Sequence, residues 1–242
     1  MQKYRTEALV IGVHNWGEAD KLVTFFTKER GKVRGTAFGC RRAKSPLAAG
    51  MQMFQHVDVE LSEGQRLDTV RQCSILRHYK RLDSELSVIA YGAFVAELIS
   101  EMMPEHEPEP DLFALLLKIF PAFERRNPRI AALAAAYQLL EYSGMQLSYG
   151  YCVHCGREIE EDTVFSVREG GALCGDCAVP DGMPYSGALR RMILEIRNFD
   201  WEADSRMQLK KAELLQAEQL LMEHIQTLLG HPLKSLGFLA QL

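Results

Sequence analysis

Four cysteines in the pattern C-x2-C-x18-C-x2-C commit the stretch at about 150–180 to one small module: Cys152, Cys155, Cys174 and Cys177. Each pair reads as a tight turn aiming two thiolates at one point, and two such turns supply the tetrahedral set of soft ligands that Zn2+ takes. The spacing lies in the zinc-ribbon window. Gly156 closes the first turn and Gly175 lies inside the second, where glycine lets N–H groups point back at sulfur. The competing readings are a disulfide pair and a thioredoxin-like redox C-x2-C. The redox version needs a βαβ context, which neither pair has. A closed set of four thiolates leaves no open coordination position, so one structural zinc is expected, with a role in stability.

The rest of the chain reads as an ordinary globular protein. With 242 residues, 47% of them hydrophobic, it is long enough for one large or two small cores. The start MQKYRTEALVIGV has no long apolar stretch, and no window holds 18 apolar residues in a row. A signal peptide and a membrane span are therefore not expected, and reduced thiols in the cytoplasm fit best, near the nucleoid if the target is DNA. Cys40 and Cys73 are isolated and read as packing residues, not nucleophiles. Charge is distributed unevenly. Residues 1–81 hold 15 Lys and Arg against 8 Asp and Glu, a net of +7, while the remainder holds 13 against 24, a net of −11. Such a split points the first part toward a polyanion, against a plainer reading as solvated surface charge.

Periodicity changes near residue 82. Before it come five strand candidates: 8–13, 21–28, 32–39, 54–61 and 67–76. In FQHVDVEL, Val57, Val59 and Leu61 alternate with His56, Asp58 and Glu60. Short strands with glycine turns and no helical pattern between them suggest a small barrel or sandwich. After it the pattern is helical. Ser84 is placed to cap a helix to about Met103, with Val88, Tyr91, Val95, Leu98 and Met102 on one face. PEHEPEP (104–110) reads as a linker. A second helix covers 111–126 with an interruption near Pro121. Asn127 and Pro128 open a third that ends at Gly144. VFSVREGGALC reads as a hairpin within the cysteine module. Ser186 caps a helix over about 187–198, and a last helix covers about 206–229. There Met207, Leu214, Leu221 and Leu228, flanked by Leu215, Met222 and Leu229, form a core stripe ended by Gly230. The fold class is thus α+β, with a β domain at 1–80 and a mainly α-helical domain at 81–242 that carries the cysteine module.

The densest basic stretch is KERGKVRGTAFGCRRAK, with Lys28, Arg30, Lys32, Arg34, Arg41, Arg42 and Lys44. If 32–38 is a strand, Lys32, Arg34, Thr36 and Phe38 share one face, and Val33, Gly35 and Ala37 the other. Cations neutralise phosphates, and a ring offers a base a stacking platform, so this surface suits single-stranded nucleic acid. The alternatives are Phe38 in the core and cations that merely solubilise.

Taken in order along the chain, these segments resemble the RecO family of bacterial DNA repair proteins. The resemblance rests on Trp16-Gly17-Glu18-Ala19-Asp20, on FFTKERGKVRG, and on the loop Gly39-Cys40-Arg41-Arg42-Ala43-Lys44-Ser45-Pro46-Leu47. It rests also on C-x2-C-G after a helix ending in Gly144, and on Gly230-His231-Pro232-Leu233-Lys234-Ser235 followed by Phe238-Leu239. Where the family has L-x-P-F before its next strand, this chain has Met51-Gln52-Met53-Phe54. The resemblance implies an N-terminal OB-fold that binds single- and double-stranded DNA. It implies annealing of complementary strands and, with RecR, loading of RecA onto DNA coated by single-strand-binding protein. It also implies docking of that protein's C-terminal tail on the helical domain. The helix that holds an arginine for that tail in some members has Leu133 and Ala134 in the corresponding neighbourhood, with Arg129 one turn earlier.

No catalytic constellation is legible: the seven histidines are scattered, and there is no phosphate-loop motif. His154 lies inside a knuckle, but four thiolates leave it no place as a ligand. A zinc hydrolase or redox enzyme would need an open ligand position or an exposed low-pKa thiol, and the sequence offers neither. A ribbon-type transcription or translation factor would bind through the cysteine module. That module carries Arg157 and Arg168 against Glu158, Glu160, Glu161, Asp162, Glu169 and Asp176, a poor polyanion binder. A non-enzymatic DNA-binding mediator is the favoured expectation.

Overall fold

Alternation of apolar and polar side chains closes the first part of the chain into a barrel. In the computed structural model, which describes residues 2–203 and 210–239, its strands are β1 (Lys3–Trp16), β2 (Asp20–Thr27), β3 (Gly31–Ala37), β4 (His56–Ser62) and β5 (Asp68–Arg77). They form a closed barrel in the order β1-β2-β3-β5-β4. β4 returns antiparallel to β1, from Lys3↔Ser62 to Leu9↔His56. β3 meets β5 in parallel at Gly35↔Asp68 and Thr36↔Thr69. This is a small barrel of the OB type. Ala8, Val10, Val23, Phe25, Val57, Val59, Leu61 and Val70 point inward. β1 also buries Leu9 and Ile11, which alternation would send outward. A bulge between Val10 and Gly12 accounts for part of this, and a helix packed on the strand's outer side for the rest.

The loop 38–55 caps the barrel as a series of turns. Cys40, Leu47 and Met51 reach into the barrel core, and the buried Lys21 ammonium donates to the Met51 carbonyl at 2.9 Å. Cys40 is a packing residue, its thiol raised by burial; burial likewise takes Cys73 to about 11.

The helices are α1 (Lys80–Ser84), α2 (Leu86–Met102), α3 (Pro110–Ala122), α4 (Pro128–Tyr142), α5 (Gly187–Arg197), α6 (Lys211–Leu229) and α7 (Lys234–Leu239). The chain divides into two compact units: one runs to Ala132 and resumes at Leu233, and the other is Leu133–Pro232. In the first unit, α2 is contacted by β1, α1 and α7. It therefore buries Val88, Ala90, Gly92, Phe94, Val95, Ala96, Leu98 and Ile99, a broader surface than the single face expected. Tyr91 and Met102 are only half-buried. Ser84 does not cap α2. Its hydroxyl donates back to the Lys80 carbonyl at 2.8 Å, and the chain breaks at Glu85, which offers no side-chain cap. α3 ends at Ala122, short of the expected 126, with Pro121 in its last turn. The N-terminus of α7 is held by Glu97 of α2, whose two carboxylate oxygens accept from Lys234 N at 2.9 Å and Ser235 N at 2.8 Å.

α4 begins as expected, with the Asn127 side chain accepting from Arg129 N at 3.0 Å, and Gly144 follows it at φ 69°. In the second unit β6 (Thr163–Ser166), β7 (Gly171–Leu173) and β8 (Met183–Tyr185) form a sheet in the order β7-β6-β8. Its core is aromatic: Tyr149 stacks on Phe165 at 5.5 Å, and Tyr137 meets Tyr149 edge-on at 5.6 Å. Ser186 caps α5, accepting from Leu189 N at 3.1 Å. α6 buries Ala217, Leu220, Leu221, His224 and Ile225. The heptad stripe expected there is displaced: Leu215 and Leu228 are exposed, and Met207 lies outside the described residues. Gly230 ends the helix in the left-handed region. Among the described residues no helix is long and apolar enough to cross a membrane.

Candidate metal centre and nucleic-acid interface

β7 runs directly into Cys174, and this places the second cysteine pair against the first. The first pair is pinned to the same strand, with Val153 N donating to the Ala172 carbonyl at 3.0 Å. Within the first knuckle Gly156 N donates to the Cys152 carbonyl at 2.9 Å, and Gly156 takes φ 73°. The second knuckle is a 3-10 turn, Gly175–Cys177, with Cys177 N on the Cys174 carbonyl at 3.0 Å. Gly175 is not left-handed there, so its glycine is not demanded by the turn as expected.

The four sulfurs lie within 4.8 Å of one another. A tetrahedron with Zn–S near 2.3 Å has edges of about 3.8 Å, and the Cys155 and Cys174 sulfurs are 3.6 Å apart. All four are free thiols, so the disulfide reading fails and the set fits a soft divalent ion. Burial alone would raise the Cys152 thiol, yet backbone N–H groups of Cys174, Cys155 and His154 take it down to about 6. Cys177, hydrogen-bonded by Cys174 and its neighbours, is pushed up to about 12. Four sulfurs this close cannot all ionise without a cation among them. His154 turns away from the cluster to Glu169, at 2.8 Å.

The seven cations of the basic stretch fall in three places. Arg41, Arg42 and Lys44 are exposed on the capping loop. That loop is held to the β1–β2 turn. Arg41 N donates to the Ala19 carbonyl at 2.8 Å, its guanidinium to the carbonyls of Gly17 and Glu18, and Gly39 N to the Asp20 carboxylate at 2.7 Å. Lys28 and Arg30 lie at the other end of β3, about 20 Å away. Lys28 is exposed, whereas the Arg30 guanidinium sits 3.8 Å over the Tyr4 ring and pairs with Glu63 at 3.2 Å. Lys32 and Arg34 share the outer face of β3 as expected, but both are engaged, Lys32 half-buried and Arg34 still exposed. Lys32 Nζ donates to the Ser100 carbonyl at 2.6 Å, and burial lowers its ammonium. Arg34 pairs with Glu105 at 2.7 Å.

The acidic segment 104–110 thus serves as more than a linker. It lies along the edge of β3 that β5 leaves open, with Lys32 bridged to Glu105 and His106 N on the Lys32 carbonyl at 3.0 Å. A Cβ at Gly31 would come within 1.8 Å of the Glu107 carbonyl oxygen, so the approach requires glycine. The expected inward set of β3 holds, with Val33 and Ala37 fully buried, while Phe38 is exposed and not in the core. Trp16, singled out in the sequence only within the stretch 16–20 that carries the resemblance, is also exposed. Its position two residues beyond His14, on the outward side of β1, was the signal available. In the neighbourhood associated with a tail-binding arginine, Leu133 and Ala134 are buried.

The barrel places this chain among OB-type barrel proteins, here carrying a four-thiolate module. Two family descriptions match in succession: Recombination protein O N terminal over residues 1–79 and Recombination protein O C terminal over 84–237. Proteins named DNA repair protein RecO are similar over nearly the whole chain. That of Desulfitobacterium hafniense (strain Y51) is 31% identical, covering 92% of this chain and 85% of its own length. That of Bifidobacterium animalis subsp. lactis (strain AD011) is 30% identical, covering 99% and 100%. That of Anaeromyxobacter dehalogenans (strain 2CP-C) is 30% identical, covering 100% and 98%. The chain belongs to the RecO family.

Proposed function

We propose that this chain is a non-enzymatic DNA-binding mediator of recombinational repair. Its barrel binds single- and double-stranded DNA and brings complementary strands together. With RecR it promotes RecA loading on DNA coated by single-strand-binding protein, whose C-terminal tail is a further partner. Family membership supports the pathway and the partners. The observation that carries the DNA reading is the capping loop, which presents Arg41, Arg42 and Lys44 to solvent on a fixed support at the rim of an OB-type barrel. Phosphate contacts hold a strand without occupying its base edges, so two strands held this way remain free to pair. Annealing needs no covalent chemistry.

Cys152, Cys155, Cys174 and Cys177 would hold one Zn2+, which would cross-link the two knuckles without an open position for substrate. Lys28 and Arg30 extend the positive field at the far end of β3, while Lys32 and Arg34 become available to DNA only where Ser100 and Glu105 release them.

The test is the double variant Arg41→Ala/Arg42→Ala. Removing one cation–phosphate interaction flattens log K against log[salt] by about 0.7 for single strands. The variant should bind more weakly, with a shallower slope and slower annealing, while zinc content and the thermal midpoint stay near wild type. Wild-type binding and annealing across a salt series would remove the loop from the DNA site.

A further inference from the structure

The rim that carries the cationic loop also exposes two large rings. Val13 packs on the barrel core, so alternation turns His14 and then Trp16 outward. Ala37 lies within the core, which turns Phe38 outward. Trp16 is 54% exposed and Phe38 60%. Trp16 is paired with Asp20 across β1 and β2, and Lys21 with Ala37 across β2 and β3. The two rings therefore flank Asp20 at one end of a continuous three-stranded surface, about 10 Å apart across two strand spacings. Asp20 is engaged in holding Gly39 N.

Neither ring is needed for the barrel core, which is filled from inside by other residues. Exposed aromatic surface beside a charged rim marks a contact site. The charge beside it is specific in sign: Arg42 and Lys44 are exposed on the loop that begins at Phe38, and Arg41 is anchored over the β1–β2 turn that begins at Trp16. Aromatic rings next to fixed cations are the composition of a surface for unpaired nucleic acid, in which each base presents a π-face and each linkage a phosphate. A duplex buries those π-faces in its own stack and offers only the phosphates.

We propose that Trp16 and Phe38 each stack a nucleobase of one single strand, whose phosphates run past Arg42 and Lys44. The inference rests on the DNA reading above and deepens it. Phosphate contacts alone treat single and double strands alike, whereas stacking on this rim selects unpaired bases and still leaves their pairing edges outward.

The full-length protein allows a direct reading, because its other tryptophan, Trp201, is buried with its indole N–H on the Gln138 side chain at 2.7 Å. A short dT oligonucleotide should quench emission, and Trp16→Ala should abolish the quench while the Trp201 signal shows the fold intact. Trp16→Ala and Phe38→Ala should each weaken single-strand binding by roughly fivefold to a hundredfold. Duplex affinity and the salt slope should stay unchanged, and Trp16→Phe should retain most of the binding. Equal losses on single strand and duplex would overturn the proposal. So would unchanged single-strand binding in both alanine variants, which would assign the rings to a protein partner. If Arg41→Ala/Arg42→Ala weakens binding while the ring variants do not, the phosphate reading stands and stacking fails. If the wild type binds no oligonucleotide, both fail.

Discussion

Phe54 holds its backbone at φ 66°, a region costly for a bulky side chain. The conformation is enforced by pairing beside the β1 bulge, where Phe54 N donates to the Val10 carbonyl at 2.8 Å and Val10 N to the Gln55 carbonyl at 2.9 Å. It sends the ring out of the barrel to Phe120, 6.1 Å between centroids, and against Gly92, where a Cβ would lie 3.3 Å from it. Phe54→Ala should cost about 3–5 kcal/mol by leaving a cavity. Phe54→Gly removes one carbon more yet relieves about 1–2 kcal/mol of left-handed strain, so it should be the less destabilising of the two in urea titration. The reverse order would show that the backbone relaxes when the ring is gone. None of this is legible in Met51-Gln52-Met53-Phe54, because the strain is imposed by a bulge in a strand more than forty residues earlier.

At the scale of elements, what could be read depended on how local the cause was. The knuckles, the inward sets of β3 and β4, and the caps Asn127 and Ser186 are decided within a few residues, and the structure reproduces them. The α1 and α7 caps are not local. Glu124 takes the N–H groups of Lys80 and Arg81, at 3.2 and 2.9 Å, and Glu97 those of Lys234 and Ser235. No pattern near Ser84 could show this. The stripe of α6 was misplaced for a related reason, since a heptad row drifts around a straight helix by about 20° per repeat and packing chose Ala217, Leu220, Leu221, His224 and Ile225 instead. The same non-locality splits the basic stretch, because residues about seventy positions on engage two of its cations: Ser100 at the end of α2 holds Lys32, and Glu105 of the acidic segment holds Arg34. Arg34→Ala should therefore flatten the salt dependence of DNA binding less than Arg42→Ala does, and Glu105→Gln should steepen it by up to about 0.7. The gain in Glu105→Gln should vanish when Arg34→Ala is added. Equal flattening by Arg34→Ala and Arg42→Ala would show that the ion pair opens freely; at 45% and 35% side-chain exposure it is a modest contact.

For the whole molecule, the division into two units sets where loss of the thiolate site is felt. The sulfurs lie wholly within Leu133–Pro232, and the barrel wholly within the other unit. A structural zinc contributes folding free energy to the unit that binds it. Chelation, or Cys174→Ser, should expose amides of 145–190 to hydrogen exchange while barrel amides of β1 to β5 keep their protection. Oligonucleotide affinity measured on the protein that remains folded should change little. Uniform loss of protection across both units would show that the metal supports the entire chain.

The split of the first unit has a consequence for how the chain is made. Residues from Leu233 onward belong with the barrel and α2, although all of the second unit is synthesised between them. A ribosome that has delivered everything up to Pro232 has made the barrel, the basic loop and the four clustered cysteines, but not the segment that seats on Glu97. Until those residues emerge, a side of α2 stays uncovered on the nascent protein. Completion of the barrel unit thus waits on residues made after the whole second unit, and a message cut short before them yields a chain with its chemistry in place and its apolar surface open to quality control.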